Sequence, residues 1–258
     1  MEVESHWLTV AGRAVHARVW PYPPQAGAPA VVCVHGLLVS SRYMVPTATR
    51  LARCHQVYVP DLPGFGRSAK PKRVLGMAEL ADALASWMEA GGIGRATLVG
   101  NSMGCQVMAQ LAVRHPQRME RAVMVGPTID PQGHTAAEQV RRLLTDMFLE
   151  PPASYPLLLR DLLDGGVRRT LLTFRAALRD RIEEHLPRVR VPTLVVRGAR
   201  DPLVPQRWAE EATRLLPQGR LVVVPGVAHA VNFSAPDVLS ALVRRFIRAP
   251  DAAPDHEA

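Results

Sequence analysis

The chain has 258 residues, of which 48% are hydrophobic and 21% charged, and its mean hydropathy is +0.02. This balance is typical of a globular domain and excludes wholesale disorder, a collagen-like fibre and a membrane-embedded bundle. The formal charge is +8, but the arginines that carry it are dispersed and lack interleaved aromatic residues. We therefore interpret the charge as a solvated surface and expect no nucleic-acid partner.

The cysteines and the first residues of the chain indicate the cellular compartment of the protein. Cys33, Cys54 and Cys105 are odd in number and form no C-x-x-C pair, which favours a reducing compartment over disulfides or a zinc site. Residues 1–4 are acidic where a signal peptide would be basic, and no apolar run reaches about 18 residues. We expect a cytoplasmic protein without a membrane span, and the sequence leaves both a monomer and a homodimer open.

Short apolar runs alternate with helical patterns along much of the chain. Residues 15–20 alternate like a strand at a sheet edge, and residues 30–34 form a continuous run typical of a strand buried on both faces. Further strand-like runs cover residues 57–59, 96–99, 122–125, 193–196 and 221–224, and helical patterns cover 77–90, 102–114 and 205–216. This alternation predicts an α/β fold with a mostly parallel, doubly wound sheet.

The alternation stops over residues 127–187, where leucine-rich helical patterns are bracketed by prolines. We interpret this stretch, called the cap segment below, as a helical cap inserted after the sixth strand. The alternative is that its helices are further crossovers. The core then consists of residues 1–126 and 188–248. Residues 249–258 have no apolar period, which predicts a disordered tail.

A candidate nucleophile lies at residues 100–104, which read Gly-Asn-Ser-Met-Gly between a predicted strand and a predicted helix. In that context the pattern G-x-S-x-G is typical of a tight turn that exposes a serine hydroxyl above the carboxyl edge of the sheet. The candidate is Ser102, and the alternative is an incidental serine in a glycine-containing turn.

A serine hydroxyl becomes nucleophilic only when a base removes its proton and an acid orients that base. His229 follows the last predicted strand, and Asp201 follows the strand before it. Since all three residues follow strands in the order Ser, Asp, His, we predict that they meet at one edge of the sheet. Asp130 is the alternative acid. His229 and Asp201 could instead be ordinary loop and turn residues.

Attack on a carbonyl places negative charge on oxygen, and that charge needs hydrogen-bond donors aimed at it beforehand. We predict the backbone N–H groups of Leu37 and Met103 as these donors. His35 is interpreted as a structural histidine beneath the loop rather than a second base. The remaining residues predicted to lie at the site are Gly36, Gly100, Asn101 and Gly104.

From about residue 5 to residue 248, the chain resembles the α/β-hydrolase fold superfamily. The matching motifs are His-Gly at residues 35–36, Asp-Leu-Pro-Gly-Phe-Gly-Arg-Ser at 61–68, the turn at 100–104, Asp201 and His229. The resemblance implies a serine hydrolase with Ser102 as nucleophile, Asp201 as acid and His229 as base. We expect no metal or other cofactor.

For the reaction, we expect cleavage of a small carboxylic ester, thioester or lactone through an acyl-enzyme on Ser102. The leucines of the cap segment, with Met147, Phe148 and Phe174, predict an apolar acyl or alicyclic group beneath it. The serine at position 102 argues against dehalogenases and epoxide hydrolases of this fold, which use aspartate.

Other functions on the same fold stay open. The motifs are also similar to those of hydrolases that cleave carbon–carbon bonds in ring-fission diketones. Those enzymes commonly carry a Gly-rich run after His-Gly and a Trp after the histidine, where this chain has Leu37, Leu38 and Ala230. Acyl transfer with the same triad and a non-catalytic ligand-binding protein are the further alternatives.

Overall fold

The computed structural model describes residues 3–21 and 29–249. Its strands are β1 Glu4–Val10, β2 Arg13–Trp20, β3 Ala30–Val34, β4 Val57–Pro60, β5 Ala96–Asn101, β6 Met119–Val125, β7 Thr193–Gly198 and β8 Gly219–Val224. Its α-helices are α1 Ser41–Leu51, α2 Met77–Ala90, α3 Met103–Arg114, α4 Ala136–Met147, α5 Tyr155–Gly165, α6 Val167–Arg179, α7 Ile182–His185, α8 Gln206–Leu215, α9 Val231–Ser234 and α10 Pro236–Arg248. Apart from Ala249, the predicted tail lies outside the described residues.

Within the described residues, eight strands form one sheet in the order β1-β2-β4-β3-β5-β6-β7-β8. Strand β2 runs antiparallel to both of its neighbours, and every other adjacent pair of strands is parallel. The predicted α/β fold with a mostly parallel, doubly wound sheet is therefore confirmed. Because the parallel strands share one direction, the loops after β3, β5, β6, β7 and β8 leave the sheet at the same edge.

Alternating side chains of the strands build an apolar core on each face of the sheet. In β3, Val32 and Val34 belong to the core that includes residues of α2, α3 and α8, while Val31 and Cys33 belong to the core with α1 and α10. All four side chains are completely buried, which explains why this strand carries no polar residue. Burial of each valine contributes about 1.5–3 kcal/mol to folding.

Two elements at the start of the chain differ from the sequence-based expectation. Strand β2 was expected at a sheet edge, but β1 pairs with it along seven residues and takes the edge position. The sequence pattern does not reveal β1 because most of its residues are exposed. It does not reveal α1 either, since Pro46 lies inside that helix and a proline is normally taken as a break.

Four α-helices, α4 to α7, connect β6 to β7 and occupy the cap segment. Buried polar contacts tie these helices to the core. Asp161 of α5 accepts a hydrogen bond from the backbone N–H of Ser40 at 2.7 Å and pairs with Arg42 at the start of α1. Gln106 of α3 donates to the carbonyl of Ala177 in α6 at 2.9 Å. None of the described helices has the length and hydropathy needed to cross a bilayer.

Candidate active site

Ser102 lies at the apex of the turn between β5 and α3. Its backbone has φ +56° and ψ −122°, a left-handed conformation that is strained for a residue with a Cβ atom. The N–H of Ser102 donates to the carbonyl of Val125 at 2.9 Å, which joins the turn to the end of β6. A Cβ atom on Gly104 would lie 2.4 Å from the carbonyl oxygen of Val34, so only glycine lets α3 begin this close to β3.

Three other residues predicted to lie at the site pack around this turn. Gly36 lies against the nucleophile, since a Cβ atom there would be 3.1 Å from the Cβ of Ser102. Asn101 is buried and donates from Nδ2 to the carbonyl of Val125 at 3.4 Å. Gly100, inside β5, contacts Met108 of the following helix. These residues support the turn rather than offer reactive groups.

His229 and Asp201 form a buried hydrogen-bonded pair. The two side chains are joined from Nδ1 of His229 to Oδ2 of Asp201 at 2.8 Å. The other carboxylate oxygen of Asp201 accepts the N–H groups of Leu203 at 2.8 Å and Val204 at 3.0 Å. Because Asp201 is fixed in this way, it holds the imidazole with Nδ1 as the donor. Within the described residues, Nε2 of His229 has no hydrogen-bond partner, so no protein contact occupies this atom when the ring is neutral.

Gly126, directly after β6, makes room for this pair. Its φ is +56°, and a Cβ atom there would lie 2.8 Å from both Nδ1 and Cε1 of His229. It would also lie 3.3 Å from Oδ2 of Asp201. No motif marks Gly126 in the sequence, and a glycine at the end of a buried strand is the only local signal for this close approach.

The two predicted oxyanion donors line the cavity that also contains Ser102 and His229. Met103 is the first residue of α3, where a helix leaves its backbone N–H groups unpaired. Leu37 follows Gly36 in the loop after β3. In the described part of the chain, neither backbone N–H donates to a protein acceptor. Both are therefore available to a bound oxygen atom.

His35 is completely buried beneath the same loop. Its Nδ1 lies 2.8 Å from the carbonyl of Gly36, and its Nε2 accepts the N–H of Leu62 at 3.0 Å. Burial lowers the pKa of His35, and the nearby Asp61 charge only partly opposes that effect. The neutral ring, with both nitrogens occupied, ties two loops together.

Asp130, the alternative acid, lies elsewhere. Its carboxylate pairs with Arg142 of α4 at 3.0 Å and with Arg207 of α8 at 2.9 Å, and it has no hydrogen bond to His229. The loop after β6 directs Asp130 toward α4 and α8, whereas the loop after β7 brings Asp201 to the histidine. The geometry thus favours Asp201 of the two candidates.

Two further carboxylates, Asp146 and Glu150, reach the histidine loop from the cap segment. Asp146 accepts the backbone N–H of His229 at 3.3 Å, and Glu150 accepts that of Ala230 at 2.7 Å. Both are buried and line the cavity. No motif marks them in the sequence. Asp146 lies in the last turn of α4, whereas Glu150 lies beyond the end of that helix, so no helical periodicity links the two carboxylates.

These charges change the protonation of the site. Burial disfavours the imidazolium, but the Asp201 carboxylate, followed by Asp146 and Glu150, outweighs burial and raises the pKa of the histidine to about 9. Burial raises the pKa of Glu150 to about 7, against the stabilising N–H of Ala230. Burial also raises the pKa of Asp146.

The cavity, called the main cavity below, has a volume of about 890 Å³ and is mostly apolar. That volume lies within the range of small-molecule sites. Met147 and Phe174 line it as expected, but Phe148 does not: its side chain is 88% exposed because it points away from the core at the end of α4. The other apolar side chains that line the main cavity include Leu38, Val39, Ile129, Leu143, Leu158, Leu159, Leu162 and Leu203.

Residues 31–242 match the model of the alpha/beta hydrolase family, and the chain belongs to that family. A relative named "Putative carbamate hydrolase RutD", from Escherichia coli strain K12 / DH10B, is 30% identical over 86% of this chain and 92% of its own length. Among solved structures, E-2-(acetamidomethylene)succinate hydrolase superimposes with a TM-score of 0.80 at 22% identity, covering 96% of this chain and 100% of that one. The enol-lactonase from Burkholderia xenovorans LB400 has a TM-score of 0.74 at 22% identity, covering 95% and 100%.

Proposed function

We propose that this hydrolase cleaves a small carboxylic ester, thioester or lactone through an acyl-enzyme on Ser102. The observation that carries the proposal is the His229–Asp201 pair, whose free Nε2 belongs to a residue lining the same cavity as Ser102. A pure ligand-binding protein has no need of a buried acid behind that histidine. Because the chemistry resides in side chains and backbone donors, the chain needs no cofactor for it.

The proposed reaction has two halves. Nε2 of His229 takes the proton of Ser102 as its oxygen attacks the carbonyl carbon, and Asp201 stabilises the imidazolium that forms. The N–H groups of Leu37 and Met103 bind the negative oxygen of the tetrahedral intermediate. The imidazolium then protonates the leaving group. Water, deprotonated by the same histidine, attacks the acyl-enzyme and restores the serine.

The main cavity supports an apolar acyl or alicyclic group as the part of the substrate held beneath the cap segment. Its apolar walls favour carbon chains and rings, and few polar groups line it away from the reacting atoms. The enol-lactonase among the structural neighbours is similar in fold alone, so it does not select the lactone among the three substrate types.

Hydrolysis of a carbamate is a second candidate, and the name of the 30% identical relative favours it. A carbamate presents the same electrophilic carbonyl to Ser102, with nitrogen on one side and oxygen on the other. The same donors would serve its oxyanion, so the distinction lies in how the cavity holds the two substituents.

A series of p-nitrophenyl esters from acetate to octanoate tests the proposal. We expect kcat/KM to rise with chain length until the acyl group fills the cavity, because each buried methylene contributes about 0.8 kcal/mol. Ser102→Ala should lower kcat by at least about 10³-fold while the protein keeps its wild-type melting temperature. Retention of the wild-type rate by Ser102→Ala contradicts the proposal.

Two added substrates separate the alternatives within the same assay. A phenyl carbamate tests the second candidate, and a ring-fission dienone tests carbon–carbon cleavage, which removes a strong visible absorption. If kcat/KM is higher for the dienone than for every ester, carbon–carbon cleavage becomes the proposed reaction in place of ester hydrolysis. The roles proposed for Ser102 and His229 would be unchanged.

A further inference from the structure

A second pocket, called the basic pocket below, lies outside the main cavity and has a volume of about 580 Å³. It is lined by Arg18, Arg42, Gly66, Arg67, Lys70, Arg160 and Asp164. Five of these residues carry a positive charge and one carries a negative charge. On a solvated protein surface, positive and negative side chains are normally interspersed. The concentration of cations in this one pocket is therefore unusual.

Most of the cations in the basic pocket make no ion pair within the described part of the chain. Arg42 pairs with the buried Asp161 and, at 2.9 Å, with Asp164. Over the described ranges, the other four cations make no ion pair. Lys70, for example, donates only to the backbone carbonyls of its own loop, at 2.5 and 3.1 Å.

The fold holds these like charges close together. Burial lowers the pKa of Arg18, and the neighbouring Arg42 and Arg67 add to that effect against the attraction of Asp61. Burial also lowers the pKa of Lys70, against the attraction of Asp164. Arg67 is fixed over the ring of Trp7 at 5.3 Å, and its backbone N–H donates to Asp61 at 2.9 Å. Arg18, which donates to Ser41, and Arg67 are thus positioned before any ligand arrives.

We propose that the basic pocket binds the phosphate group of a small phosphorylated ligand. Guanidinium groups match the oxygens of phosphate with paired N–H donors, and an ammonium adds a point charge. Four cations without an ion pair, with Asp61, Asp161 and Asp164 attracting Arg18 or Lys70 from nearby, leave an excess of positive charge that suits a dianionic phosphate. This assignment is independent of the role proposed for Ser102.

The basic pocket and the main cavity share two walls. On α1, Arg42 lines the basic pocket and the next residue, Tyr43, lines the main cavity. On α5, Leu159 lines the main cavity and Arg160 the basic pocket. The phosphate could therefore belong to the carrier of a thioester substrate, as in an acyl-coenzyme A, or to a separate ligand. The phosphate chemistry is the same in both cases.

Calorimetric titration with inorganic phosphate tests the site, using the Ser102→Ala chain so that turnover plays no part. We expect binding that weakens as salt is added, and a loss of at least about tenfold in affinity in the double variant Arg160→Ala/Lys70→Ala. Arg214→Ala is the matched control, because Arg214 is an exposed arginine of α8 without an ion pair in the described structure. It should bind phosphate as the parent does.

Failure of the parent chain to bind phosphate below about 10 mM overturns the proposal, and so does an equal loss of affinity in the control. Melting temperatures show whether each variant is folded. Because binding is measured without catalysis, these outcomes are distinct from a failure of Ser102 to act as nucleophile.

Hydrolysis of two thioesters by the chain with an intact Ser102 then locates the phosphate. If it belongs to the substrate, the double variant lowers kcat/KM for butyryl-coenzyme A by at least about fivefold and leaves the N-acetylcysteamine thioester, which has no phosphate, unchanged. If phosphate binding is lost while neither rate changes, the pocket serves a separate phosphorylated ligand, and the site itself stands.

Discussion

At the scale of single residues, the unusual feature is the number of carboxylates that face His229. Asp201 bonds its ring, Asp146 accepts its backbone N–H, and Glu150 accepts the N–H of the next residue. Oε2 of Glu150 is buried, and it has no partner among the described residues. A triad needs one acid. The other two stabilise the imidazolium, so they set the pH at which the histidine can act as a base.

The pH profile of ester hydrolysis should show this effect. A base must be neutral, so we expect kcat/KM to rise with pH to a midpoint near the pKa of about 9 raised by these acids. The pKa of Glu150 is about 7, so its side chain is ionised across that rise. In Glu150→Gln the lost charge no longer stabilises the imidazolium, and the midpoint should fall by about half a pH unit or more.

Glu89→Gln is the matched control for the pH profile, because this carboxylate is 74% exposed at the end of α2 and pairs with Arg118 instead. Its midpoint should equal that of the unaltered chain. A midpoint in Glu150→Gln that stays fixed or moves upward contradicts the electrostatic explanation.

The sequence predicts a residue's place in the site when that residue lies in a motif or directly follows a predicted strand. Ser102, Asp201 and His229 are predicted as the triad because each follows a predicted strand, and Ser102 also lies in the G-x-S-x-G turn. Asp146 and Glu150 are not predicted, since the cap segment approaches the site in an arrangement that no local pattern specifies. Phe148 was wrongly assigned to the pocket because the leucine pattern gives the polarity of the segment but not which face of its last turn meets the core.

At the scale of the elements, the end of β6 controls the histidine through Gly126. We expect Gly126→Ala to lower kcat/KM by at least about 100-fold. The added Cβ atom would lie 2.8 Å from the imidazole of His229, so the ring would have to move away from its hydrogen bond to Asp201. The substitution also strains the backbone, whose φ is +56°. Ester hydrolysis and thermal melting measure the two effects separately.

Gly12→Ala is the control for strain alone. Gly12 has φ +72° in the turn between β1 and β2, and a Cβ atom there would meet nothing within 4 Å. It should lose about 1 kcal/mol of stability and keep full activity. Activity lost in proportion to stability in both variants would show that Gly126 acts through the fold and not through the position of His229.

Whether the sequence predicts a helix or strand depends on whether its stabilising contacts are visible in its own residues. Strand β3 and helix α2 match their predicted bounds because their burial patterns are present in their own residues. Helix α1 obtains its contacts from α10, α9 and the sheet, and these override the local signal of Pro46. Strand β1 likewise depends on its seven pairings with β2.

At the scale of the whole molecule, the buried contacts of Asp161 hold the cap segment on the core. In Asp161→Ala the N–H of Ser40 and the guanidinium of Arg42 lose a buried acceptor, which should cost about 3 kcal/mol. We expect faster hydrogen exchange in α5 and a higher KM for long-chain esters. The central strands should keep their protection, because their contacts are unchanged.

Asp164→Ala removes the other partner of Arg42, a carboxylate that is 37% exposed, and serves as the comparison. Its effect on exchange in α5 should be small, since an exposed pair contributes about 0–1 kcal/mol. Equal exchange in the two variants would show that burial of Asp161 does not determine how firmly the cap segment is held.

Covalent labelling tests the central claim most directly. A fluorophosphonate should add one equivalent to the chain, and peptide mass spectrometry should locate the adduct on Ser102. Ser102→Ala should take up none, and His229→Asn should react at least about 10²-fold more slowly, because its serine lacks the base. A chain that hydrolyses esters but stays unlabelled, or carries the label on another residue, would contradict the assignment of Ser102 as the nucleophile.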